Sequence, residues 1–324
     1  MLSFPFHVYL AAFVSAALCA GVGMPLWRRW CRSRGLMDDP GHRKIHQEPV
    51  PLAGGWSILC AVSLPLMVGG FLIVWPGWWA GELGPLAYGM DRRLGAIAGL
   101  LAGALGMVWL GCQDDLRELG PGPKFAGQCA CALIAAVSGF VLPLSREWGW
   151  LNGVATVFWV LAVTNAMNFM DNMNGLCGGI SAIATFAFGV WFAQHGQYLV
   201  ASLAFLFCGA IAGFLPWNFP QGRVFLGDTG SHLLGYLLSV LPLAGQGAAE
   251  ENESVRPFPT ALWLLAVPLV DMVWVVVWRT WHGRRFWVGD TNHLSHQLVR
   301  VGLSKSRAVL CLWLAAAACS VLAF

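Results

Sequence analysis

Residues 106–120 read GMVWLGCQDDLRELG, an apolar run that ends at two adjacent aspartates, Asp114 and Asp115. The apolar residues before them continue back to about residue 93. About 20 such residues in a helix cross a ~30 Å hydrocarbon core. This stretch therefore predicts a membrane-spanning helix with two carboxyl groups at its end. The pair either marks where the helix reaches water, or it holds a cation or takes part in chemistry.

Similar apolar runs recur along all 324 residues of the chain, which is 57% hydrophobic and only 11% charged. Soluble domains carry roughly a quarter of charged residues, and a soluble protein with this much apolar surface would aggregate. The period-two alternation of a transmembrane barrel is absent. The composition therefore excludes a large soluble enzyme. It predicts an all-α polytopic membrane protein that forms a single domain over residues 1–324.

The apolar runs predict about ten membrane-spanning helices, or eleven if a short connection such as 195–197 divides the chain differently. Because sequence patterns place helix ends only to within a few residues, the ranges are approximate. The predicted helices cover residues 5–27, 52–75, 93–112, 125–143, 150–168, 176–194, 198–215, 230–246, 259–279 and 306–323.

The basic residues predict the orientation of these helices. The first apolar run is followed by arginines rather than preceded by them, which favours a retained first span over a cleaved signal peptide. With the amino terminus outside, 15 of the 19 lysines and arginines lie in or beside the connections 28–51, 113–124, 169–175, 216–229 and 280–305. Since basic residues concentrate on the cytoplasmic side, these connections and their polar clusters are predicted to face the cytoplasm.

The first cytoplasmic cluster is DDPGHRKIHQEPVPLAGG, residues 38–55. Arg43, Lys44 and His46 concentrate hydrogen-bond donors that suit a phosphate. The same cations could instead contact anionic lipid headgroups. The glycine pair at 54–55 has no side chains, so the backbone there is expected to approach a ligand closely.

The second cluster is the acidic pair itself. Adjacent residues of a helix point about 100° apart, so Asp114 and Asp115 cannot both face one small ligand in the same way. One carboxylate could bind a metal while the other takes a proton or orients another group. A solvated helix end remains the alternative.

The third cluster is NAMNFMDNMNGLCGG, residues 165–179. Its asparagines Asn165, Asn168 and Asn172 follow a helical spacing of i, i+3, i+7, and Asp171 lies beside them. So many polar groups near lipid are costly unless they are hydrogen-bonded. The stripe therefore either joins neighbouring helices or lines a site.

The fourth cluster is WNFPQGRVFLGDTGSHLLG, residues 217–235. The Gly-Asp-Thr-Gly-Ser stretch precedes a helix, where backbone N–H groups could bind phosphate. Asp228 in this stretch suits Mg²⁺, which binds a few carboxylates together with water and substrate phosphates. Alternatively, Thr229 or Ser231 only caps the helix.

The fifth cluster is GDTNHLSHQLVR, residues 289–300. His293 and His296 are spaced to share a helix face with Arg300. A third zinc ligand is not evident nearby, which leaves phosphate binding, proton handling or a buried structural pair. Asp271, a carboxylate inside the ninth apolar run, is expected to pair with a neighbouring helix.

Five polar clusters on one membrane face favour a Mg²⁺-dependent enzyme that acts on phosphates. A transporter would more often place ionisable residues at mid-membrane in broken helices. An intramembrane prenyltransferase would need two Asp-rich motifs of the DxxxD type, and this chain has one adjacent pair. Both remain as alternative interpretations.

In this order, the clusters resemble those of the polyprenyl-phosphate N-acetylhexosamine-1-phosphate transferases. The resemblance spans about residues 38–300 and rests on DDPGHRKIHQEPVPLAGG, DDLREL, NAMNFMDNMNGLCGG, FLGDTGSHLLG, PLVDMVWVVVWR and HLSH. It implies transfer of a sugar 1-phosphate from a UDP-sugar to a polyprenyl phosphate, with release of UMP. The RKIHQEPVPLAGG loop is similar to the branch that uses UDP-GlcNAc to start O-antigen or teichoic-acid synthesis.

The resemblance also implies roles for individual residues and a Mg²⁺ cofactor, for which Mn²⁺ could substitute. The implied metal ligands are Asp228, Asp115 and Asp171. The implied catalytic residues are Asp114, Asp115, Asp171, His293 and His296. The implied substrate-binding residues are Arg43, Lys44, His46, Lys124, Asn168, Asn174, Asn218, Phe225 and Arg300.

Three positions depart from the family pattern. Asn174 stands where an aspartate is common, and an amide still forms hydrogen bonds but binds a metal less strongly. Glu118 stands where aspartate is frequent, and Ser295 lies between the two histidines where a histidine-rich run is common. The other implied partners are undecaprenyl phosphate and the bilayer of a bacterial inner membrane, with the active site facing the cytoplasm. A homodimer is left open, and no nucleic acid is expected.

Overall fold

The structure is a computed structural model that describes residues 3–39, 48–74, 83–145, 147–245 and 257–324. The regular structure of these residues is helical apart from a two-stranded sheet, in which β1 (Met37–Asp38) pairs antiparallel with β2 (Val50–Pro51). The helices of the described part are α1 Phe6–Arg34, α2 Gly54–Val74, α3 Gly84–Arg92, α4 Leu94–Arg117, α5 Pro121–Val137, α6 Gly149–Met170, α7 Leu176–Gln194, α8 Tyr198–Asn218, α9 Gly227–Ala244, α10 Pro257–Leu264, α11 Ala266–Trp281, α12 Leu294–Arg300 and α13 Lys305–Val321.

Six helices of the described part are long and apolar enough to cross a membrane, namely α1, α2, α4, α6, α7 and α8. The bent pair α10 and α11 raises this number to seven if the two form one span. The helices α5 and α13 have 17 residues each, about 25 Å at 1.5 Å per residue. The protein is therefore an all-helical, multi-pass membrane protein.

Large apolar side chains cover the outside of the helices. Examples are Val22, Leu26, Phe71, Phe158 and Leu314, each of which is at least 60% exposed. Lipid tails provide the surroundings in which such a surface is stable, and the helices satisfy their own backbone hydrogen bonds there.

Helix α9 lies at the centre of the protein. Every residue from Thr229 to Leu243 is buried, and α9 packs against α2, α4 and α6. A helix that is apolar on all sides is suited to such a central position. Its amino-terminal end carries Gly227 and Asp228, so the packing of α9 places the fourth polar cluster among its neighbours.

Glycines allow the neighbouring helices to approach α9 closely. A Cβ at Gly111 of α4 would lie 2.4 Å from the carbonyl oxygen of Asp228, and one at Gly55 of α2 would lie 2.6 Å from the N atom of Gly230. The sequence predicts that the glycine pair at 54–55 admits a ligand. In the structure, Gly55 instead admits the backbone of α9.

The predicted ninth span, residues 259–279, is not one straight helix. It consists of α10 and α11, which meet at an angle of 65°. Pro268 lacks an N–H group and cannot donate to the carbonyl of Leu264, the last residue of α10. A single proline inside the apolar run therefore explains the break that hydrophobicity alone does not reveal.

Candidate active site

The end of α4 meets the start of α5 through Asp114. The Nζ atom of Lys124 lies 2.6 Å from Asp114 Oδ2, and the N–H group of Leu119 donates to Asp114 Oδ1 at 2.7 Å. Asp114 is only 7% exposed. Both of its oxygens are therefore engaged within the protein.

Asp115 contacts a different helix, α9. Its Oδ1 accepts from the N–H group of Asp228 at 2.8 Å. Its Oδ2 accepts from both the N–H and the hydroxyl of Thr229, at 3.0 and 2.6 Å. No side chain of α9 forms this cap, which corrects the alternative in which Thr229 or Ser231 does. A carboxylate from α4 caps α9 and faces the positive end of its dipole.

Asp228 is held between α5 and α6. The side-chain amide of Asn168 donates to Asp228 Oδ1 at 2.5 Å and to the hydroxyl oxygen of Ser231 at 2.9 Å. Lys124 Nζ lies 3.4 Å from Asp228 Oδ2, so the ammonium group of Lys124 bridges Asp228 and Asp114. The ends of α4, α5, α6 and α9 meet at this point.

Asp171 follows the last residue of α6 and lies near the same carboxylates. Burial, and then the charges of Asp228, Asp115 and Asp38, raise the pKa of Asp171 well above its ordinary value. We call Asp114, Asp115, Asp171, Asp228, Lys124 and Asn168 the Asp228 cluster. Among the described residues, Lys124 is the only lysine or arginine that forms a salt bridge with it. Two of the four carboxyl groups, those of Asp114 and Asp228, thus share one ammonium group.

The donor atoms of the Asp228 cluster fit Mg²⁺. Within the described ranges, no group of three or more histidine, cysteine, aspartate or glutamate side chains is arranged to hold a metal ion. Mg²⁺ does not need such a cage, because one or two carboxylates together with water and substrate phosphates hold it. Asp228 and Asp171 supply two carboxylates whose mutual repulsion a divalent cation would relieve. The two oxygens of Asp228 contact side chains, those of Asn168 and Lys124, whereas both oxygens of Asp115 accept from backbone N–H groups of α9.

Asn218 joins two of the predicted clusters. Its Oδ1 accepts from the N–H group of Gly175 at 2.6 Å, and its Nδ2 donates to the carbonyl of Val224 at 2.9 Å. The side chain is 5% exposed, and both ends of its amide are engaged. Asn218 therefore ties the α6–α7 turn to the segment that precedes α9.

Phe225 lies on that segment, beside Asn174 of the α6–α7 turn. A Cβ at Gly222, where φ is +61°, would lie 2.5 Å from Asn174 Nδ2 and 2.9 Å from Phe225 Cε1. The backbone of Phe225 also accepts from Gly54 N and donates to the carbonyl of Pro51. The first and fourth clusters thus hold Phe225 in a fixed place, with its ring half-buried.

The asparagine stripe of α6 serves both roles that the sequence leaves open. Asn165 donates to Gln128 Oε1 of α5 at 2.9 Å. Asn172, just after α6, accepts from the hydroxyl of Ser295 in α12 at 2.6 Å. Between them, Asn168 belongs to the Asp228 cluster. The outer two asparagines join helices, and the middle one lies in the candidate site.

His293 forms the amino-terminal boundary of α12 and contacts α11. Its Nδ1 lies 2.7 Å from Asp271 Oδ2, and the N–H group of Leu294 donates to Asp271 Oδ1, also at 2.7 Å. Asp271 is fully buried. The expectation that Asp271 pairs with a neighbouring segment is confirmed.

A second ion pair lies farther along α11. Arg279 Nε lies 3.0 Å from Asp290 Oδ2, and Arg279 Nη1 donates to the carbonyl of Phe286 at 2.6 Å. Burial acts to raise the pKa of Asp290, but hydrogen bonds from Arg279 and Asn292 outweigh it and lower this pKa to about 2. We call Asp271, Arg279, Asp290 and His293 the histidine frame.

His296 and Arg300 lie on α12. The rings of His296 and His293 are 6.3 Å apart. Burial, and then the charges of His293, Arg300 and Lys305, lower the pKa of His296. The exposed guanidinium of Arg300 donates to the carbonyl and the hydroxyl of Thr291, so it is turned toward the segment before α12.

The structure thus brings six of the predicted residues together at the ends of α4, α5, α6 and α9, namely Asp114, Asp115, Lys124, Asn168, Asp171 and Asp228. Another three, Asn174, Asn218 and Phe225, lie along the α6–α7 turn and the segment before α9, and His293, His296 and Arg300 lie around α12. Arg43, Lys44 and His46 lie outside the described residues. Sequence reasoning assigned no site role to Ser231, which binds Asn168, or to Ser295, which binds Asn172. The sequence signal that could have identified these two serines is their position in the Gly-Asp-Thr-Gly-Ser and His-Leu-Ser-His stretches.

Comparison with known proteins places the chain among named transferases. Residues 97–246 match the family described as glycosyl transferase family 4. A probable undecaprenyl-phosphate N-acetylglucosaminyl 1-phosphate transferase of Bacillus subtilis is 28% identical over 94% of this chain and 81% of its own length. A decaprenyl-phosphate N-acetylglucosaminephosphotransferase of Mycolicibacterium smegmatis is 30% identical over 86% and 72%. An undecaprenyl-phosphate alpha-N-acetylglucosaminyl 1-phosphate transferase of Yersinia pestis is 31% identical over 87% and 74%.

Proposed function

The chain belongs to glycosyl transferase family 4, and from this premise we propose that it transfers N-acetylglucosamine 1-phosphate from UDP-GlcNAc to a polyprenyl phosphate. The observation that carries the proposal is the Asp228 cluster, in which the ends of four helices gather carboxylates, an amide and one ammonium group. Such a set suits two anionic substrates and a divalent cation. The names of the relatives support the same donor group and the same class of acceptor.

In the proposed reaction, an oxygen of the lipid phosphate attacks the β-phosphorus of UDP-GlcNAc. The new P–O bond forms as the bond from the β-phosphorus to the bridging oxygen breaks, and UMP leaves with that electron pair. The products are polyprenyl diphosphate N-acetylglucosamine and UMP. Because both reactants are anions, positioning and charge neutralisation are the main demands on the protein.

The geometry supports a mechanism without a strong general base. A phosphate monoester has a second pKa of about 6, so the lipid phosphate is mostly dianionic at neutral pH. Both oxygens of Asp114 and both oxygens of Asp115 already accept hydrogen bonds or a salt bridge. We therefore assign Asp114 to holding Lys124 in place and Asp115 to orienting the start of α9.

Lys124 is the residue we assign to the acceptor phosphate. Its ammonium group lies between Asp114 and Asp228, and an ammonium at the end of a helix can contact a phosphate at the membrane surface. Asn168 holds Asp228 from the other side. Asp114, Asp228 and Asn168 thus hold the ammonium group of Lys124 where it can orient the acceptor oxygen and face its negative charge.

Asp228 and Asp171 are the residues that would hold Mg²⁺, with Mn²⁺ as a substitute. When bound, the cation neutralises charge on the diphosphate of the donor. That Asp115 also ligates the metal stays a prediction, as do the roles of His293 and His296 beside the diphosphate. Asn174, an amide at a position where the family often has a carboxylate, would contact the donor rather than the metal.

We assign the uracil of the donor to the side chain of Phe225. The backbone of Phe225 is hydrogen-bonded to the first cluster, and its ring lies next to Asn174, so a flat base could stack on it. Asn218 holds the segment that carries Phe225 in place. We assign Arg43, Lys44 and His46 to contacts with the substrate phosphates and Arg300 to the rim of the site.

For the membrane arrangement, we propose ten crossings in a bacterial inner membrane, with the site on the cytoplasmic face. The distribution of lysine and arginine supports this orientation. Ten crossings place both termini outside, so alkaline phosphatase fused after residue 324 is expected to be active. An inactive phosphatase fusion together with a fluorescent cytoplasmic reporter at the same point would contradict the count.

The decisive experiment incubates purified protein with Mg²⁺, undecaprenyl phosphate and separate UDP-sugars. UDP-GlcNAc, UDP-GalNAc and UDP-MurNAc-pentapeptide form the panel, and the readouts are released UMP and the lipid product. We expect UMP and lipid-linked N-acetylglucosamine from UDP-GlcNAc alone, and none after chelation of the metal. Release of pyrophosphate, or uptake of sugar into proteoliposomes without a lipid product, would contradict the proposal.

A further inference from the structure

We propose that Asp271 is a positioning residue that fixes the imidazole ring of His293, so that its second ring nitrogen can form a hydrogen bond with a phosphate group of the substrates. The inference rests on the proposed transferase function and adds to it a residue that does not touch the substrates. Asp271 lies on α11, away from the acidic side chains of the Asp228 cluster. Its effect on the reaction passes through the imidazole ring.

A single carboxylate fixes both the ring of His293 and the start of α12. Asp271 Oδ2 lies 2.7 Å from His293 Nδ1, and Asp271 Oδ1 accepts from Leu294 N at 2.7 Å. Asp271 has no exposed surface, and His293 is 5% exposed. Neither group can exchange its partner for water, so the ring has one orientation relative to α11.

His293 is the side chain that satisfies Asp271. A buried carboxylate is costly unless it is hydrogen-bonded, and within the described residues the partners of Asp271 are His293 Nδ1 and Leu294 N. The other charged side chain of α11 that faces this region, Arg279, is already paired with Asp290. His296, Arg300 and Lys305 approach from α12 and α13 but form no ion pair with Asp271 in the part of the chain that the structure describes. The contact with Asp271 therefore fixes the ring of His293.

The other ring nitrogen of His293 forms no hydrogen bond with any described residue. With Nδ1 committed to Asp271, Nε2 is the atom of His293 that can form a hydrogen bond with a ligand. The imidazole packs edge-to-face against the ring of Phe169 of α6, with ring centroids 5.8 Å apart. Ser295, two residues after His293, donates to Asn172, the residue after Asp171. Both contacts place His293 beside the end of α6 that contributes to the Asp228 cluster.

The test replaces Asp271 by asparagine. Asp271→Asn retains the size of the side chain and an oxygen that can accept from Leu294 N, but it puts an NH₂ group in place of the oxygen that contacts His293 Nδ1. We expect kcat for UMP release to fall about 10- to 100-fold, with the KM for UDP-GlcNAc changed less than threefold, because a correctly oriented hydrogen-bonding group matters most where charge develops.

A spectroscopic readout separates positioning from simple structural support. In protein labelled with ¹⁵N-histidine, His293→Gln identifies the His293 signals among those of the eight histidines. Wild-type protein is expected to show a proton on Nδ1 of His293, held by the hydrogen bond to Asp271. Asp271→Asn is expected to change how the proton is distributed between Nδ1 and Nε2.

The matched control is Asp290→Asn, the same chemical change in the other ion pair of the histidine frame. It is expected to leave the His293 signals and kcat unchanged. The proposal is overturned if Asp271→Asn keeps the wild-type kcat and His293 signals, or if both variants lose kcat equally. If the wild type transfers no sugar phosphate from any UDP-sugar, the proposed function fails. The ¹⁵N signals of wild type and Asp271→Asn then still decide whether Asp271 sets the protonation of His293.

Discussion

The Asp228 cluster and the histidine frame contain similar side chains but differ in how their charges are balanced. In the described part of the cluster, four carboxyl groups lie beside a single ammonium, that of Lys124, which contacts Asp114 and Asp228. In the frame, each carboxylate has its own side-chain partner, with Asp271 on His293 and Asp290 on Arg279.

This difference distinguishes the candidate site, the Asp228 cluster, from the histidine frame that supports the neighbouring segments. An excess of negative charge at buried helix ends is unfavourable in the protein alone, and a cation and its ligand can relieve it. A frame of matched pairs is complete by itself and holds neighbouring segments in one geometry. Changes in the cluster should therefore affect catalysis first, whereas changes in the outer part of the frame should affect stability first.

The largest effect is expected for Asp228→Asn. The amide can still accept from Asn168, so the helix ends should stay together, but the negative charge that would hold the cation is lost. UMP release should fall at least about a thousandfold, while the melting temperature in detergent changes by only a few degrees. Glu118→Gln is the control, because Glu118 is an exposed carboxylate at the end of α4 and its loss should change activity less than twofold. A comparable loss in both variants would contradict a special role for Asp228.

Lys124→Met is expected to have the next largest effect. Methionine retains most of the apolar stem but leaves Asp114 and Asp228 without their shared cation. UMP release should fall roughly 100-fold. Lys124→Arg, which keeps the positive charge, should retain part of the wild-type rate of UMP release. The comparison is made at several concentrations of undecaprenyl phosphate, and a wild-type rate for Lys124→Met would show that the acceptor does not use this ammonium.

Much of this comparison could be predicted from the sequence. Apolar runs predict the helices, and the spacing of Asn165, Asn168 and Asn172 predicts a polar face on α6. The acidic pair and the Gly-Asp-Thr-Gly-Ser stretch predict the chemistry of the cluster. These features depend on residue type and on spacing along one helix, which are visible in a single chain.

Features that depend on packing between helices could not be predicted in this way. Asp115 caps α9 only because Gly111 allows α4 to touch its backbone, and no spacing along the chain reveals that contact. The bend between α10 and α11 at Leu265 depends on Pro268, a single proline within an apolar run. The pairing of Asp271 with His293 joins residues 22 positions apart, through a segment that has no regular structure to set its path.

The role of Asp115 can be sharpened with Asp115→Asn. The variant keeps one oxygen for the start of α9 but loses the other acceptor, so the free energy of unfolding should decrease by about 1–2 kcal/mol. Activity should fall roughly tenfold, because Asp228 begins α9 and would lose its fixed position. The Mg²⁺ concentration that gives half of the maximal activity should stay within twofold of the wild type. A large increase in that concentration would instead identify Asp115 as a metal ligand.

The smallest effect on activity is expected for Asp290→Asn in the histidine frame. Asp290 and Arg279 are 9% and 2% exposed, and loss of the carboxylate should lower the free energy of unfolding at pH 7 by about 1–2 kcal/mol. UMP release should stay within threefold of the wild type, because the pair fixes the segment before α12 without facing the Asp228 cluster.

The pKa of Asp290 predicts how this loss of stability depends on pH. The pKa of Asp290 in the folded protein is about 2, below its ordinary value of 3.8, so its stabilising effect is complete above pH ~4 and disappears as the pH falls toward 2. The difference in unfolding free energy between wild type and Asp290→Asn should therefore be constant from pH 5 to 8 and shrink in acid, as followed by denaturant unfolding in detergent. A difference that persists unchanged at pH 3, or a large loss of activity at pH 7, would mean that Asp290 contributes through something other than its pair with Arg279.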